Sequence, residues 1–260
     1  MNITLFSSNQ PRHLNLAKQL SDISDNLYFI SEVTTVFPGK INDFYKKSEV
    51  MERYFTHVIE AEQKIFGDIG FLPSNVKMLS LKSGDLNLVS NTQFSTALNS
   101  DVFVVFGASY IKGWLIDFLI EKEALNIHMG ISPYYRGSSC NFWALYDNNP
   151  SYVGATIHML SKGLDSGDIL FHCVPKFTVG DTGFDFTMRS VAAAHAGLTE
   201  GIASTNFLKL PRVPQTKEME IRYTRNHDFT DEIAKIFLNR NYVMQADNFN
   251  YPELINPIFF

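Results

Sequence analysis

Short apolar runs alternate with amphipathic stretches along the first half of the chain, and this alternation constrains the fold most strongly. The runs are only a few residues long and rich in Ile, Val, Leu and Phe, which favours strands. The stretches between them carry apolar residues near the helical period. Strand, helix and strand in this order predict an α/β fold: a doubly wound, mainly parallel twisted sheet, Rossmann-like, with helices on both faces.

The pattern also sets expected boundaries for each element. We predict strands at residues 3–6, 27–30, 76–81, 102–106, 125–129, 153–160 and 169–177. We predict helices at residues 11–23, 48–66, 111–120, 140–146, 182–205 and 231–238. Because Pro211 and Pro214 break the pattern, we expect one domain over residues 1–205 and a C-terminal extension over 206–260.

The composition argues against several classes of protein. The chain has 260 residues, a formal net charge of -5 and a pI near 5.8, so a broad nucleic-acid footprint is not expected. Cys140 and Cys173 are too few for a disulfide framework. The longest apolar stretch contains Lys112 and Asp117, and the first residues lack the pattern of a signal peptide. We expect a cytoplasmic protein with no membrane partner.

Residues 126–170 carry the strongest chemical pattern. Asn126 and His128 lie two residues apart on a predicted strand, so their side chains project to the same face. Asp165 follows in a Leu-Asp-x-Gly-Asp turn, where its carboxylate can meet them. These three side chains suit acyl transfer to an amine. The amide can donate a hydrogen bond to an oxyanion, the imidazole can act as acid or base, and the carboxylate can orient the imidazole. The alternative is a strand-end histidine next to an asparagine, with Asp165 as a turn residue.

His158 lies on the following predicted strand. Together with His128 or His172, it is a candidate metal ligand. No pair of ligands has the spacing of a zinc site, and the two cysteines lie far apart in the sequence. A histidine that is hydrogen-bonded within the fold is the interpretation that we favour. We therefore predict no metal.

The same region resembles the catalytic core of the formyltransferases that use N10-formyltetrahydrofolate. The family pattern is Asn-x-His, a Pro-x-x-Arg-Gly loop, Thr-x-His and Leu-Asp-x-Gly. The positions that match it in order are Asn126, His128, Pro133, Arg136, Gly137, Thr156, His158, Leu164, Asp165 and Gly167. The resemblance implies formyl transfer from N10-formyltetrahydrofolate to a primary amine. His128 and Asn126 would then donate to the oxyanion, and Asp165 would hold the imidazole and help to carry away the amine proton.

The stretch VVFGASYIKG follows a predicted strand and resembles the folate-binding loop of that family. By position, Ser109, Tyr110 and Ile111 fall at the pterin ring. Leu164 and Asp165 fall on its other side. An ordinary strand-to-helix turn is the alternative interpretation of this stretch.

The acceptor site is less clearly marked. Ser7, Ser8 and Asn9 follow the first strand and open a helix, where backbone amides and hydroxyls suit a phosphate. Capping of that helix is the alternative. Arg136, in the loop after the catalytic strand, is a candidate for contact with an acceptor anion, and a solvated surface arginine is the alternative.

The resemblance does not by itself name the acceptor. The methionyl-tRNA enzyme carries a basic C-terminal domain, whereas this chain is acidic and its extension has no basic cluster. The glycinamide ribonucleotide enzyme opens with a Gly-rich phosphate loop, which is missing here. The amino-sugar N-formyltransferases remain, so the most favoured acceptor is a nucleotide-linked amino sugar. A hypothesis of another class is a non-catalytic folate- or nucleotide-binding protein.

The last residues, NFNYPELINPIFF, are aromatic and apolar, which is unusual for a chain end. Six large apolar side chains occur there: Phe249, Tyr251, Ile255, Ile258, Phe259 and Phe260. We expect this tail to be buried, either in a homodimer contact, as in the related sugar enzymes, or by folding back on its own domain.

Overall fold

The computed structural model describes residues 1–42, 45, 47–204, 209–245 and 249–260. The strands in this part of the chain are β1 (Asn2–Ser7), β2 (Asn26–Val33), β3 (Val76–Lys82), β4 (Val102–Val105), β5 (Leu125–His128), β6 (Tyr135–Gly137), β7 (Ala155–Met159), β8 (Ile169–Val174), β9 (Arg222–Thr224) and β10 (Ile258–Phe259). The helices are α1 (Pro11–Asp22), α2 (Glu49–Phe66), α3 (Gly113–Glu121), α4 (Cys140–Tyr146), α5 (Gly183–Ser204) and α6 (Asp231–Asn239).

A single large sheet organises the molecule. Its eight strands follow the order β10-β8-β7-β5-β4-β1-β2-β3. The five strands from β3 to β5 run parallel to one another, and β7 is antiparallel to both β5 and β8. A separate pair, β6 and β9, lies outside this sheet. The predicted mainly parallel α/β fold is confirmed.

Alternate side chains of each strand feed two different cores. Ile3 and Leu5 of β1 pack in one core with α1, α2 and α5, whereas Phe6 packs with α3 on the other face. This alternation is the two-residue period of a strand. A third, aromatic cluster joins α2, α4 and α6. The helices thus cover both faces of the sheet, and among the described residues no helix is long and apolar enough to span a membrane.

The predicted elements are all present, with ends that differ by a few residues. The last predicted strand, residues 169–177, ends at Val174, and the predicted helix 111–120 begins only at Gly113. The helix predicted over 182–205 is α5, and the last of its predicted residues lies outside the described part. Strands β6, β9 and β10 were not predicted, since each is only two or three residues long. Such short strands carry no measurable periodicity.

The described part of the extension packs on the same chain. Ile258 pairs with Cys173, which adds β10 to the edge of the sheet. The N–H of Ile255 donates to Nδ1 of the buried His172 at 2.9 Å. The ring of Phe260 lies so close to Gly197 that a Cβ there would be 3.2 Å from its Cε2 atom. The tail therefore folds back, as in the second of the two expectations above. The predicted boundary between residues 205 and 206 lies outside the described residues.

Candidate active site

The carboxyl ends of the parallel strands open onto a large cavity. Its volume is about 900 Å³, and it extends from the loop after β4 to aromatic side chains of α2, α4 and α6. Asn126, His128 and Asp165 all lie on its wall. Ligands of open parallel sheets bind at this edge, so the cavity is the natural place for the predicted site.

Strand β5 and the turn after β7 bring the three predicted catalytic side chains together. Ile127 points into the core on one face of the sheet, so Asn126 and His128 project from the other. Nδ1 of His128 lies 3.2 Å from Oδ2 of Asp165. Nδ2 of Asn126 donates to Oδ1 of the same carboxylate at 3.3 Å. One carboxylate therefore contacts both of the other side chains.

His128 is held as an imidazolium. Its Nε2 lies 3.1 Å from the backbone oxygen of Tyr135 and must donate, because a carbonyl oxygen can only accept. Burial by itself lowers the pKa of His128, but the charge of Asp165, with a contact to Cys140, outweighs burial and raises this pKa well above its usual range. Burial also acts to raise the pKa of Asp165, and the charge of His128 outweighs it and holds that pKa far below its usual range.

His158 orients Asn126 and is not placed as a metal ligand. Nδ1 of His158 donates to the backbone oxygen of Met159 at 2.8 Å, which leaves Nε2 of the neutral ring as an acceptor. Nδ2 of Asn126 donates to this Nε2 at 2.9 Å. Among the described residues, no group of three or more His, Cys, Asp or Glu could hold a metal ion. The hydrogen-bonded role predicted for His158 is observed, and the absence of a metal stays a prediction.

The turn that carries Asp165 has an unusual backbone. Asp165 has a φ of 45°, in the left-handed region that most side chains avoid. Two residues later, a Cβ on Gly167 would lie 1.7 Å from the backbone oxygen of Met159. Only glycine allows the chain to pass this close to β7, so the Asp-x-Gly spacing has a direct structural cause.

The residues predicted at the folate surround one end of the cavity. Tyr110 and Leu164 are 49% and 43% exposed and line the wall, whereas Ile111 is buried. Two half-exposed apolar side chains suit a flat heterocycle. The backbone N–H of Ser109 donates to Oε2 of Glu32 at 2.6 Å, so it is already engaged. Contact between these residues and folate stays a prediction.

The hydroxyls predicted at an acceptor phosphate instead connect loops. Ser7 donates to a backbone carbonyl just after β4, and Ser8 donates to a carbonyl of β2 at 2.9 Å. The amide of Asn9 accepts from the N–H of Thr34 at 2.9 Å and donates to its carbonyl at 3.0 Å. Capping of α1 by these residues is wrong, since its N-cap is Gln10. Ser8 lines the cavity, and contact with an acceptor stays a prediction.

Arg136 is buried, so the alternative of a solvated surface arginine is wrong. Its exposed fraction is 8%, and its strand, β6, pairs with β9 of the C-terminal extension. Nη1 of Arg136 donates to Oε2 of Glu220 at 3.2 Å. An acceptor anion would compete with this carboxylate for the guanidinium, and such a contact stays a prediction.

Glu32 is a cavity residue that the sequence analysis did not single out. It is 2% exposed, and its Oε1 accepts from the N–H of Gly84 at 2.8 Å while Oε2 accepts from Ser109. The carboxylate thereby ties the loop after β3 to the loop after β4. An acidic residue near the end of a mainly apolar strand was the available sequence signal.

Arg12 and Glu62 are two further cavity residues that were not predicted from the sequence. Oε1 of Glu62 accepts from the backbone N–H of Arg12 at 3.0 Å and from its Nη1 at 2.8 Å. A carboxylate of the protein thus occupies the N-terminus of α1, where a phosphate was expected. Among the described residues, Arg12 is the one Lys or Arg side chain on the cavity wall. The two residues lie 50 positions apart, so no local sequence pattern predicts that they pair.

Comparison with known proteins identifies relatives. GDP-perosamine N-formyltransferase from Brucella melitensis is 30% identical over 125 residues, which cover 43% of this chain and 48% of that protein. Methionyl-tRNA formyltransferase from Desulforamulus reducens is 26% identical over 156 residues, covering 57% of this chain and 46% of that protein. The chain thus spans about half the length of the curated relatives that it matches.

The fold is also found among solved structures. The N-formyltransferase from Helicobacter canadensis, in complex with folinic acid and dTDP-3-aminofucose, superposes with a TM-score of 0.53 at 14% identity. The superposition covers 90% of this chain and 78% of that one. At the level of families, the formyl transferase model matches residues 1–202. This chain belongs to the formyl transferase family.

Proposed function

We propose that this chain transfers the formyl group of N10-formyltetrahydrofolate to the primary amine of a nucleotide-linked amino sugar. The observation that carries the proposal is the carboxylate of Asp165, which contacts both His128 and Asn126 on the cavity wall. The amine attacks the formyl carbon of the co-substrate and gives a tetrahedral oxyanion. The oxyanion collapses as the bond between that carbon and N10 breaks, the amine gives up one proton, N10 takes one up, and tetrahydrofolate leaves. The side chains that would stabilise this oxyanion already lie on the cavity wall.

His128 acts as the main stabiliser of that oxyanion. Its Nε2–H is donated to the neutral carbonyl of Tyr135, and a developing oxyanion is the stronger acceptor for the same proton. Asp165 keeps the ring charged while it is buried, so the positive charge is available without reorganisation.

Asn126 provides the second donor. Its bond to Asp165, at 3.3 Å, is the longer of its two bonds and the one that the oxyanion would replace. The bond to His158, at 2.9 Å, keeps the amide in orientation during that exchange. The carboxylate of Asp165 lies beside both donors, where it can help to pass the proton of the amine to water.

Tyr110 and Leu164 would hold the pterin ring between them at the exposed end of the cavity, with Ile111 and Ser109 beside it. The acceptor would then occupy the part of the cavity near Arg12, whose guanidinium offers the positive charge for a phosphate. Relatives support a sugar acceptor: one is a GDP-perosamine N-formyltransferase, and the Helicobacter structure contains dTDP-3-aminofucose.

A direct assay tests the proposal. The full chain would be incubated with N10-formyltetrahydrofolate and dTDP-, UDP- or GDP-linked amino sugars, with tetrahydrofolate release and product mass as readouts. We expect turnover with a nucleotide-linked amino sugar. Turnover with glycinamide ribonucleotide or methionyl-tRNA instead would overturn the acceptor and keep the reaction. Binding of folate without turnover on any amine would favour the non-catalytic alternative.

Three further expectations belong to the same proposal. We propose that the acceptor is a small molecule and not a nucleic acid, since the cavity wall carries Glu32, Glu62 and Asp165 against Arg12. We propose a cytoplasmic location with no membrane partner, in keeping with the free thiols of the two cysteines. A homodimer also stays a proposal, although the folded-back tail removes the reason first given for it.

A further inference from the structure

We propose that Gln215, in the C-terminal extension, is a positioning residue that holds the Asp165 turn against His128. Nε2 of Gln215 donates to the backbone oxygen of Asp165 at 2.9 Å and to that of Gly167 at 2.7 Å. Both protons of one side-chain amide are thus spent on the two carbonyls that bracket the turn. This inference rests on the proposed function, because it assigns a role to Gln215 through the side chain of Asp165.

The turn needs such a restraint. Asp165 is in the left-handed region, with a φ of 45°, where a residue with a side chain is held only if its surroundings require it. The neighbouring residues 162–164 and 166 are exposed, so packing does little to fix them. Tyr110 and Arg136 donate to the carbonyls of Lys162 and Leu164 in this turn, and among the described residues the amide of Gln215 is the donor to the carbonyl of Asp165 itself.

Gln215 is itself anchored to the sheet. Val213 and Ile169 exchange two backbone hydrogen bonds, at 2.8 and 3.0 Å, at the start of β8. Pro214 follows, so the chain between this anchor and Gln215 has little freedom. The side chain is therefore presented to the turn from a fixed point and not from a loose loop.

The same segment also acts on the other side of His128. The N–H groups of Ile221 and Arg222 both donate to the backbone oxygen of Tyr134, at 2.8 and 3.1 Å. The next carbonyl, that of Tyr135, accepts from Nε2 of His128. Residues 215–222 thus bond to the turn of Asp165 and to the residue next to Tyr135. The side chain of Asp165 and the carbonyl of Tyr135 are the two acceptors of the imidazolium. Residues 215–222 lie beyond the family match, which ends at residue 202.

Gln215→Met tests the proposal, because it keeps the length of the side chain and removes both N–H donors. The readout is the titration of His128 followed by NMR in the full chain. We expect the pKa of His128 to fall by about one unit, equal to tenfold in proton affinity, because the carboxylate of Asp165 is no longer held at its position. The high-pH limb of formyl transfer should shift with it, with kcat lowered about tenfold and KM little changed.

Gln63→Met is the matched control, since Gln63 is exposed and its amide donates to Asp68 away from the cavity. It should leave the titration of His128 unchanged. Should Gln215→Met fold poorly, Gln215→Leu gives the same readout, since an aliphatic side chain cannot donate to either carbonyl and adds no charge beside His128. Wild-type titration of His128 in these variants would overturn the proposal. Because this readout needs no substrate, it is independent of whether any amine is formylated.

Discussion

The amide of Asn126 donates to Nε2 of His158 at 2.9 Å, and this bond decides which way the asparagine faces. In the neutral ring of His158, Nδ1–H donates to the carbonyl of Met159, so Nε2 accepts and Asn126 presents its NH₂ group. The same NH₂ group then reaches Asp165. A histidine with no predicted part in catalysis thereby sets the donor direction that an oxyanion requires.

Replacing His128 should abolish most of the activity. We expect His128→Ala to lower kcat by roughly 10²–10⁴, which is the contribution of a positioned acid/base group. The fold should survive, because Asp165 keeps its hydrogen bond from Asn126 and is open to the cavity. Turnover assays with circular dichroism measure both quantities. His227→Ala, at an exposed position, is the control, and near wild-type kcat in His128→Ala would remove His128 from the mechanism.

Asp165→Asn should move the pH profile to lower pH. In the wild type the charge of Asp165 raises the pKa of His128 against the effect of burial, so the imidazolium persists above the ordinary histidine range of about 6.5. With the charge gone, burial outweighs the remaining contact to Cys140 and the ring is neutral near pH 7. NMR titration of His128 and the pH dependence of kcat/KM both report this. An unchanged titration would mean that Asp165 does not hold the charge.

The ion pair also links stability to pH. The raised pKa of His128 contributes stability that is present below about 6.5 and is lost as the pH rises through the folded value. The lowered pKa of Asp165 contributes stability that is present above about 3.9 and is lost as the pH falls through its folded value. Asp165→Asn removes the loss of stability at high pH, because the buried ring of His128 is already neutral there. On the acid side the neutral ring of His128 makes stability fall as the pH drops below about 6.5, and chemical denaturation at several pH values measures both changes.

His172 should make the fold sensitive to acid. Burial lowers its pKa to about 4, and its Nδ1 accepts from Ile255, so the folded state needs the neutral ring. The unfolded chain binds a proton near pH 6.5, so stability falls as the pH drops from there to about 4, by about 3 kcal/mol. His172→Gln should show less of this slope in urea denaturation. His227→Gln, on the surface, should keep it, and equal slopes in all three proteins would contradict the prediction.

The tail offers a matched pair of aromatic residues. Phe260 is partly buried and packs against the main core beside Gly197, whereas its neighbour Phe259 is 45% exposed. We expect Phe260→Ala to lower the free energy of unfolding by about 2–3 kcal/mol and Phe259→Ala by less than 1 kcal/mol. Thermal denaturation measures this difference. Light scattering on the same samples tests the homodimer: dissociation of a wild-type dimer by Phe259→Ala alone would restore the tail as a subunit contact.

Much of the fold could be predicted because it depends on local pattern. The strands near Ile3, Leu27 and Leu125 are apolar runs, and the helix that begins at Glu49 follows Ser48, whose side chain accepts from the N–H of Met51. A period of two or of 3.6 residues is a property of a few neighbouring side chains, so it can be read without knowing what lies across the core. The short strands β6, β9 and β10 have no such period, and pairing with distant partners creates them.

The sequence alone also determined which side chains could perform the chemistry: Asn126 and His128 share a strand face, and the Asp-x-Gly spacing at Asp165 reflects a close backbone approach at Gly167. Only the tertiary structure decided their state. Arg136 donates to Glu220 of the extension, the N-terminus of α1 is filled by Glu62 from another helix, and the carbonyl of Asp165 accepts from Gln215. Each contact joins residues 50 or more positions apart. Electrostatic and hydrogen-bonding partners at that separation are selected by packing, and a local pattern carries no information about packing.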